Sequence, residues 1–133
     1  MKKRRSTIVI VILLAIAICL VWWNRPSGLL KHVNPYSISL IEVRDGSTGV
    51  HFTIADAEDI SYIVKNIQGK TFYKDGISLM RMGTLYTLSF YDEKDKEIDS
   101  FIINGFDTIR KDSFFYRAST ADLCVDYIKT LEN

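Results

Sequence analysis

The chain begins with a long apolar segment, and shorter segments with alternating apolar and polar residues follow it. Residues 8–23 contain neither a charge nor a proline. A helix of sixteen residues is about 24 Å long, which approaches the roughly 30 Å hydrocarbon core of a bilayer. We therefore predict one transmembrane helix over residues 7–23. Trp22 and Trp23 are expected at the membrane interface, where amphipathic aromatic rings are enriched.

The charges that flank this segment predict its orientation. All four residues from Lys2 to Arg5 are basic, whereas the first residues after the helix carry only Arg25 and Lys31. Because Lys- and Arg-rich flanks remain in the cytoplasm, residues 1–6 are expected inside the cell. The protein is then a single-pass protein of the cell membrane, with its C-terminal domain outside.

Two other interpretations of the apolar segment lead to the same export. Ala15 and Ala17 form a small-x-small pattern for cleavage of a signal peptide, but cleavage there would leave an apolar N-terminus. A lipid-modified Cys19 would need a small residue before it, and Ile18 occupies that position. An uncleaved signal anchor is therefore the preferred interpretation.

The first half of the exported part predicts a linker, a hairpin and a helix. Residues 24–36 hold two prolines and a glycine, which is typical of a linker, and residues 37–133 form the predicted domain. Residues 37–44 and 50–54 flank the turn signal Asp45-Gly46 and predict a hairpin. A helix is predicted from Asp56 as N-cap to Gly69. Its apolar stripe has helical spacing and consists of Ile60, Ile63, Val64 and Ile67.

The second half predicts two more hairpins and a final helix. Residues 86–91 pair with 98–104, and residues 108–110 pair with 114–117. The last helix is expected to begin at Ser119 or Thr120. Residues 71–83 are ambiguous, with a further strand near Phe72. The predicted fold is α+β with the order β-β-α-β-β-β-β-α, in which two amphipathic helices cover one face of a mostly antiparallel sheet.

Composition argues against several functional classes. The exported part has thirteen Lys and Arg (the seventeen of the chain less the four at residues 2–5) against sixteen Asp and Glu, a net charge of −3. A nucleic-acid partner is therefore not expected, because it requires a clustered basic face. Cys124 is the only cysteine outside the apolar segment, and a buried core thiol is a simpler interpretation than a thiol that forms dimers.

The sequence contains no arrangement typical of an enzyme or a metal site. The two histidines, His32 and His51, have no ligand spacing around them, and the acidic run at residues 92–99 is interrupted by lysines. We predict no catalytic, cofactor-binding or metal-binding residues, and thus a protein that is not an enzyme. A spatial pairing of Cys124 with His51 remains an open alternative.

Aromatic residues are the candidate binding residues. Phe114, Phe115 and Tyr116 are consecutive in a predicted strand, where neighbouring side chains point to opposite faces. If helices cover one face, either Phe115 or the other two must lie on the opposite face. Together with Tyr73 and Tyr91, the residues on that face predict an exposed aromatic surface for a partner, unless a loop or the linker covers it.

Four segments resemble small extracytoplasmic domains of Gram-positive bacteria that carry an N-terminal anchor or lipid signal. The matching segments are residues 38–43, 56–67, 86–91 and 123–131. The resemblance implies an anchored bacterial domain and assigns no function to any residue. The chain departs from the lipid-anchored members at Ile18, which replaces the small residue before the cysteine.

These observations favour a non-catalytic, membrane-anchored module that binds a protein or a component of the cell envelope. The alternative is an inhibitor or immunity-type protein directed against a secreted enzyme or toxin, whose acidic loop at residues 92–99 would imitate a substrate. The oligomeric state is not predicted by any feature of the sequence.

Overall fold

A computed structural model describes residues 2–78 and 83–133, and the described chain has an α+β fold. It contains three α-helices: α1 (Lys2–Trp23), α2 (Ala57–Gln68) and α3 (Val125–Leu131). A 3₁₀-helix covers Pro35–Ser37. The strands are β1 (Ile38–Asp45), β2 (His51–Ile54), β3 (Phe72–Ile77), β4 (Tyr86–Asp92), β5 (Glu97–Ile103), β6 (Thr108–Lys111) and β7 (Phe114–Ala118). The predicted order is confirmed, and β3 is the further strand expected near Phe72. Residues 79–82 of the ambiguous segment lie outside the described residues.

The seven strands form one sheet in the order β2-β1-β4-β5-β6-β7-β3. Each neighbouring pair is antiparallel. The three predicted hairpins are present as β1–β2, β4–β5 and β6–β7. The pairing of β3 with β7 joins segments far apart in sequence and places β3 at one edge of the sheet.

Both α2 and α3 cover the same face of this sheet. Alternate residues of the central strands, among them Leu88, Phe90 and Ile103, are fully buried. They form one hydrophobic cluster with the apolar stripe of α2 and with Ile128 of α3. The opposite face has no helix packed on it in the described part of the chain. We call it the open face.

Local capping explains the boundaries of α2. The Asp56 carboxylate accepts hydrogen bonds from the backbone N–H groups of Glu58 and Asp59 at 2.9 and 3.2 Å, which satisfies two donors of the first turn. Gly69 follows the last helical residue. Both ends therefore agree with the prediction.

Helix α3 begins later than the predicted cap at Ser119 or Thr120. Its N-cap is Cys124, which has a left-handed backbone with φ 52° and no side-chain cap. The preceding residues are held by tertiary hydrogen bonds instead: Ser119 N–H donates to the carbonyl of Thr71, and Leu123 N–H donates to that of Phe106. These bonds to other elements outweigh the local preference for a longer helix.

Helix α1 is long and apolar enough to cross a membrane. Its 22 residues extend over about 33 Å, and its apolar side chains are exposed rather than packed against the domain. The residues that follow it return at once to the sheet. Ser27 and Phe72 exchange backbone hydrogen bonds of 2.8 Å in both directions.

Part of the predicted linker belongs to the core. Leu29 and Leu30 are 6% and 5% exposed, and both lie in the hydrophobic cluster. The Gln68 side-chain amide of α2 donates to the carbonyls of Leu30 and Val33 at 2.7 and 2.6 Å. The segment between α1 and β1 is therefore packed against the domain over much of its length.

Replacing Leu29 with alanine tests this packing. Loss of a buried leucine leaves a cavity, so we expect the free energy of unfolding to fall by about 2–5 kcal/mol. Urea-dependent proteolysis of the full chain in nanodiscs measures the change. His32→Ala, three positions along at an exposed residue, is the matched control and should leave stability almost unchanged. Equal stability of the two variants would contradict the packing.

Candidate functional site

The five predicted aromatic residues divide between the two faces of the sheet. Phe114 and Tyr116 lie on the helix-covered face, where Tyr116 packs against the core and burial raises its pKa. Tyr73, Tyr91 and Phe115 lie on the open face, because each neighbours a residue of the covered face in its strand. The alternation predicted for residues 114–116 is therefore present, with Phe115 as the outward member.

Tyr91 is separated from the other two residues of the open face. It lies on β4, and β5 and β6 stand between this strand and β7. With neighbouring strands about 4.8 Å apart, β4 lies about 14 Å from β7. The Tyr91 hydroxyl donates to the Glu42 carboxylate at 3.2 Å, which is a polar setting. The five aromatic residues consequently do not form one continuous patch.

A smaller group on β3 and β7 does come together on the open face. Tyr73 lies opposite Arg117, and Gly76 lies opposite Phe115. The Arg117 guanidinium pairs with the Asp75 carboxylate at 3.0 Å. We call Tyr73, Asp75, Phe115 and Arg117 the edge surface, since β3 is an edge strand.

A register shift in β3 creates this arrangement. Asp75 is an extra residue between Lys74 and Gly76, which pair with consecutive residues of β7. The Phe115 ring covers the glycine: its Cδ2 atom would lie 4.0 Å from a Cβ added at Gly76. An aromatic ring of this kind supplies the apolar cover that the glycine lacks. The bulge and the ring therefore shape the edge surface together.

Phe114 lies in a different contact, between the sheet and the end of α1. The centroids of Trp22 and Trp23 are 6.2 and 5.9 Å from that of Phe114, in edge-on geometry. The Lys74 ammonium stands over the Trp22 ring, 3.8 Å from its centroid. We call Trp22, Trp23, Lys74 and Phe114 the α1 junction. The two tryptophans expected at the membrane interface thus contact the domain directly.

Sequence reasoning missed three exposed aromatic residues outside the open face: Tyr36, Tyr62 and Phe106. Tyr62 lies on α2 and stacks against Tyr127 of α3 with centroids 4.2 Å apart. Both rings line a cleft of about 350 Å³ together with Phe106. The helical period could have identified Tyr62, because it lies two residues from Ile60 and therefore on the opposite side of the helix.

The Tyr127 hydroxyl holds the two helices together rather than facing a ligand. It donates to the Asp59 carboxylate on α2. This hydrogen bond, followed by burial, raises the pKa of Tyr127 to about 12. The aromatic pair between α2 and α3 is therefore a packing contact whose exposed part is mainly Tyr62.

The remaining candidate residues are His51 and the acidic residues of the run 92–99. His51 is exposed on the edge strand β2. The Asp92 carboxylate accepts from the backbone N–H groups of Lys94 and Lys96, which lowers its pKa and closes the acidic turn. Asp99 pairs with Lys111. No group of three His, Cys, Asp or Glu side chains within the described ranges is placed to hold a metal ion.

Comparison with protein-family models, curated proteins and solved structures finds no significant match to this chain.

Cys124 is a buried thiol, which leads to a reactivity test. It is 1% exposed, and burial raises its pKa to about 12, so the thiolate is scarce at neutral pH. In a Cys19→Ser variant we expect almost no reaction with a disulfide reagent at about pH 8 until urea unfolds the domain. Rapid labelling of the folded protein, measured by mass spectrometry, would contradict this burial.

Proposed function

We propose that this protein is a non-catalytic, membrane-anchored bacterial module that binds a protein or an envelope component outside the cell. Residues 7–23 would span the membrane with the N-terminus in the cytoplasm, which the basic residues before the span support. The observation that carries the proposal is the edge surface, an aromatic and arginine group on the open face of the sheet.

The chemistry of the edge surface suits a partner contact. Tyrosine, phenylalanine and arginine are enriched in protein interfaces. The aromatic side chains offer a large contact area with little loss of side-chain freedom, and arginine offers several hydrogen-bond donors. Arg117 and Asp75 are both exposed, so their pairing contributes little to the stability of the fold. Either side chain can therefore change partner at a small cost.

The position of the edge surface also supports the proposal. Strand β3 pairs with Ser27, only four residues after Trp23. A partner embedded in or attached to the same membrane would meet this edge first. The acidic turn has less support as a binding loop, since Asp92 and Asp99 are already engaged within the domain.

A photo-crosslinking amino acid at position 73 tests the surface in intact cells. Tyr73 and Tyr62 are 46% and 47% exposed and lie on the open face and on the outer side of α2, respectively. We expect crosslinks to a defined partner from position 73 and not from position 62. Tyr73→Ser should then weaken binding to that partner by about tenfold or more, as for a central interface tyrosine.

The matched variant makes the result decisive. Tyr62→Ser should retain binding, because it changes an equally exposed tyrosine on the other side of the domain. Crosslinks from position 62 alone would move the contact to the helices and overturn the edge surface. Protease added to protoplasts checks the orientation separately, because it should digest residues 37–133 if the domain lies outside the cell.

A further inference from the structure

The α1 junction shows which end of the sheet faces the end of α1. Trp22 and Trp23 contact Phe114, the first residue of β7. Phe106 lies at the other end of this strand, because the neighbouring Asp107 carbonyl accepts from Ala118 N–H at 2.7 Å. The four residue steps from Phe114 to Ala118 correspond to about 13 Å. The sheet therefore has a near end and a far end relative to α1.

The link between α1 and the sheet leaves little slack. Asn24 N–H still donates to the Leu20 carbonyl, so the helical turn continues to the last tryptophan and beyond. Only Asn24, Arg25 and Pro26 separate α1 from the Ser27–Phe72 pair. With Leu29 buried after it, the chain is fixed on both sides of this short step.

The near end has an apolar and cationic surface. Ile77 lies opposite Phe114 in the β3–β7 register and is 52% exposed. The Lys74 ammonium lies 5.4 Å from the Phe114 ring centroid and 3.8 Å from that of Trp22. An ammonium group over an indole ring beside exposed aliphatic carbon is the composition of a membrane interface, where tryptophan and lysine meet lipid headgroups.

We propose that the near end of the sheet rests on the outer surface of the bilayer, with Ile77 and Phe114 at the headgroup boundary and Lys74 beside lipid phosphates. The inference rests on the proposed function, in which α1 spans the membrane. Tryptophans at the end of such a span lie at the interface. The α1 junction holds Phe114 and Lys74 against these tryptophans, and Ile77 lies opposite Phe114 in the sheet. Of the charged residues at this end, Asp75 is paired with Arg117 and Lys111 with Asp99, whereas the Lys74 ammonium lies over the Trp22 ring.

An environment-sensitive fluorophore on single cysteines tests this placement in the full chain. Reconstitution in nanodiscs of phosphatidylcholine and phosphatidylglycerol, with a nitroxide on the upper acyl chain of some lipids, provides the quencher. In a Cys19→Ser background, Ile77→Cys is compared with Phe106→Cys. Phe106 is 56% exposed, nearly the same as Ile77, but lies at the far end. We expect blue-shifted emission and several-fold stronger lipid quenching from position 77.

A label on the native Cys19 separates the two possible failures. Strong quenching at Cys19 together with a water-exposed label at position 77 would support the membrane span but overturn the proposal that the near end rests on the bilayer. The near end would then be available to a protein partner. Weak quenching at Cys19 would instead contradict the span on which the inference rests.

Charge reversal at the junction tests the role of Lys74. Lys74→Glu places a carboxylate beside Trp22 and the lipid phosphates, so quenching at position 77 should fall toward the value at position 106. Lys129→Glu is the control, since Lys129 is exposed on α3 and lies with Glu132 and Tyr86 toward the far end. Equal quenching in both charge-reversal variants would exclude Lys74 from the contact.

Discussion

The buried apolar side chains of the seven strands lie on one face of the sheet, and the burial of that face determines where the other elements lie. Helix α2 places four apolar residues on it, and α3 adds Val125 and Ile128. Leu29 and Leu30 belong to the same hydrophobic cluster. Removal of this apolar area from water is the main favourable contribution to folding. The open face carries polar residues, the partly buried Leu40 and Ile102, and the edge surface.

Elements with a long, regular period could be predicted from the sequence. Helix α2 has a full apolar stripe, a capping aspartate and a terminal glycine, and strands that are neighbours in sequence form hairpins across short turns. The β3–β7 pairing was not predictable in this way. Lys74-Asp75-Gly76 has the composition of a turn, yet it forms a bulge within a strand, where Phe115 of the partner strand lies over the glycine.

The candidate site could likewise be predicted only in part from the sequence. Alternation separates Phe115 from Phe114 and Tyr116, but no local pattern states which face the helices cover. Contacts between distant segments decide it: Phe114 meets Trp22 and Trp23, and Tyr116 packs on the core. Leu29 and Leu30 were likewise hidden among prolines and glycine, since two apolar residues are too few to show a period. Contacts with distant segments flank them: Ser27 pairs with Phe72, and Gln68 donates to the Leu30 carbonyl.

The three-residue step between α1 and the Ser27–Phe72 pair has a consequence for how a partner is found. A long flexible linker would let the domain search a hemisphere whose radius grows with the number of linker residues. Here the link is too short for such a search: if α1 spans a membrane, as proposed, the domain would be carried with the helix and would have almost no independent reach. Encounters with a partner would then be confined to a thin layer above the lipid, where two proteins of the same membrane have a high effective concentration. In that layer a partner with modest affinity in solution would still be bound for much of the time.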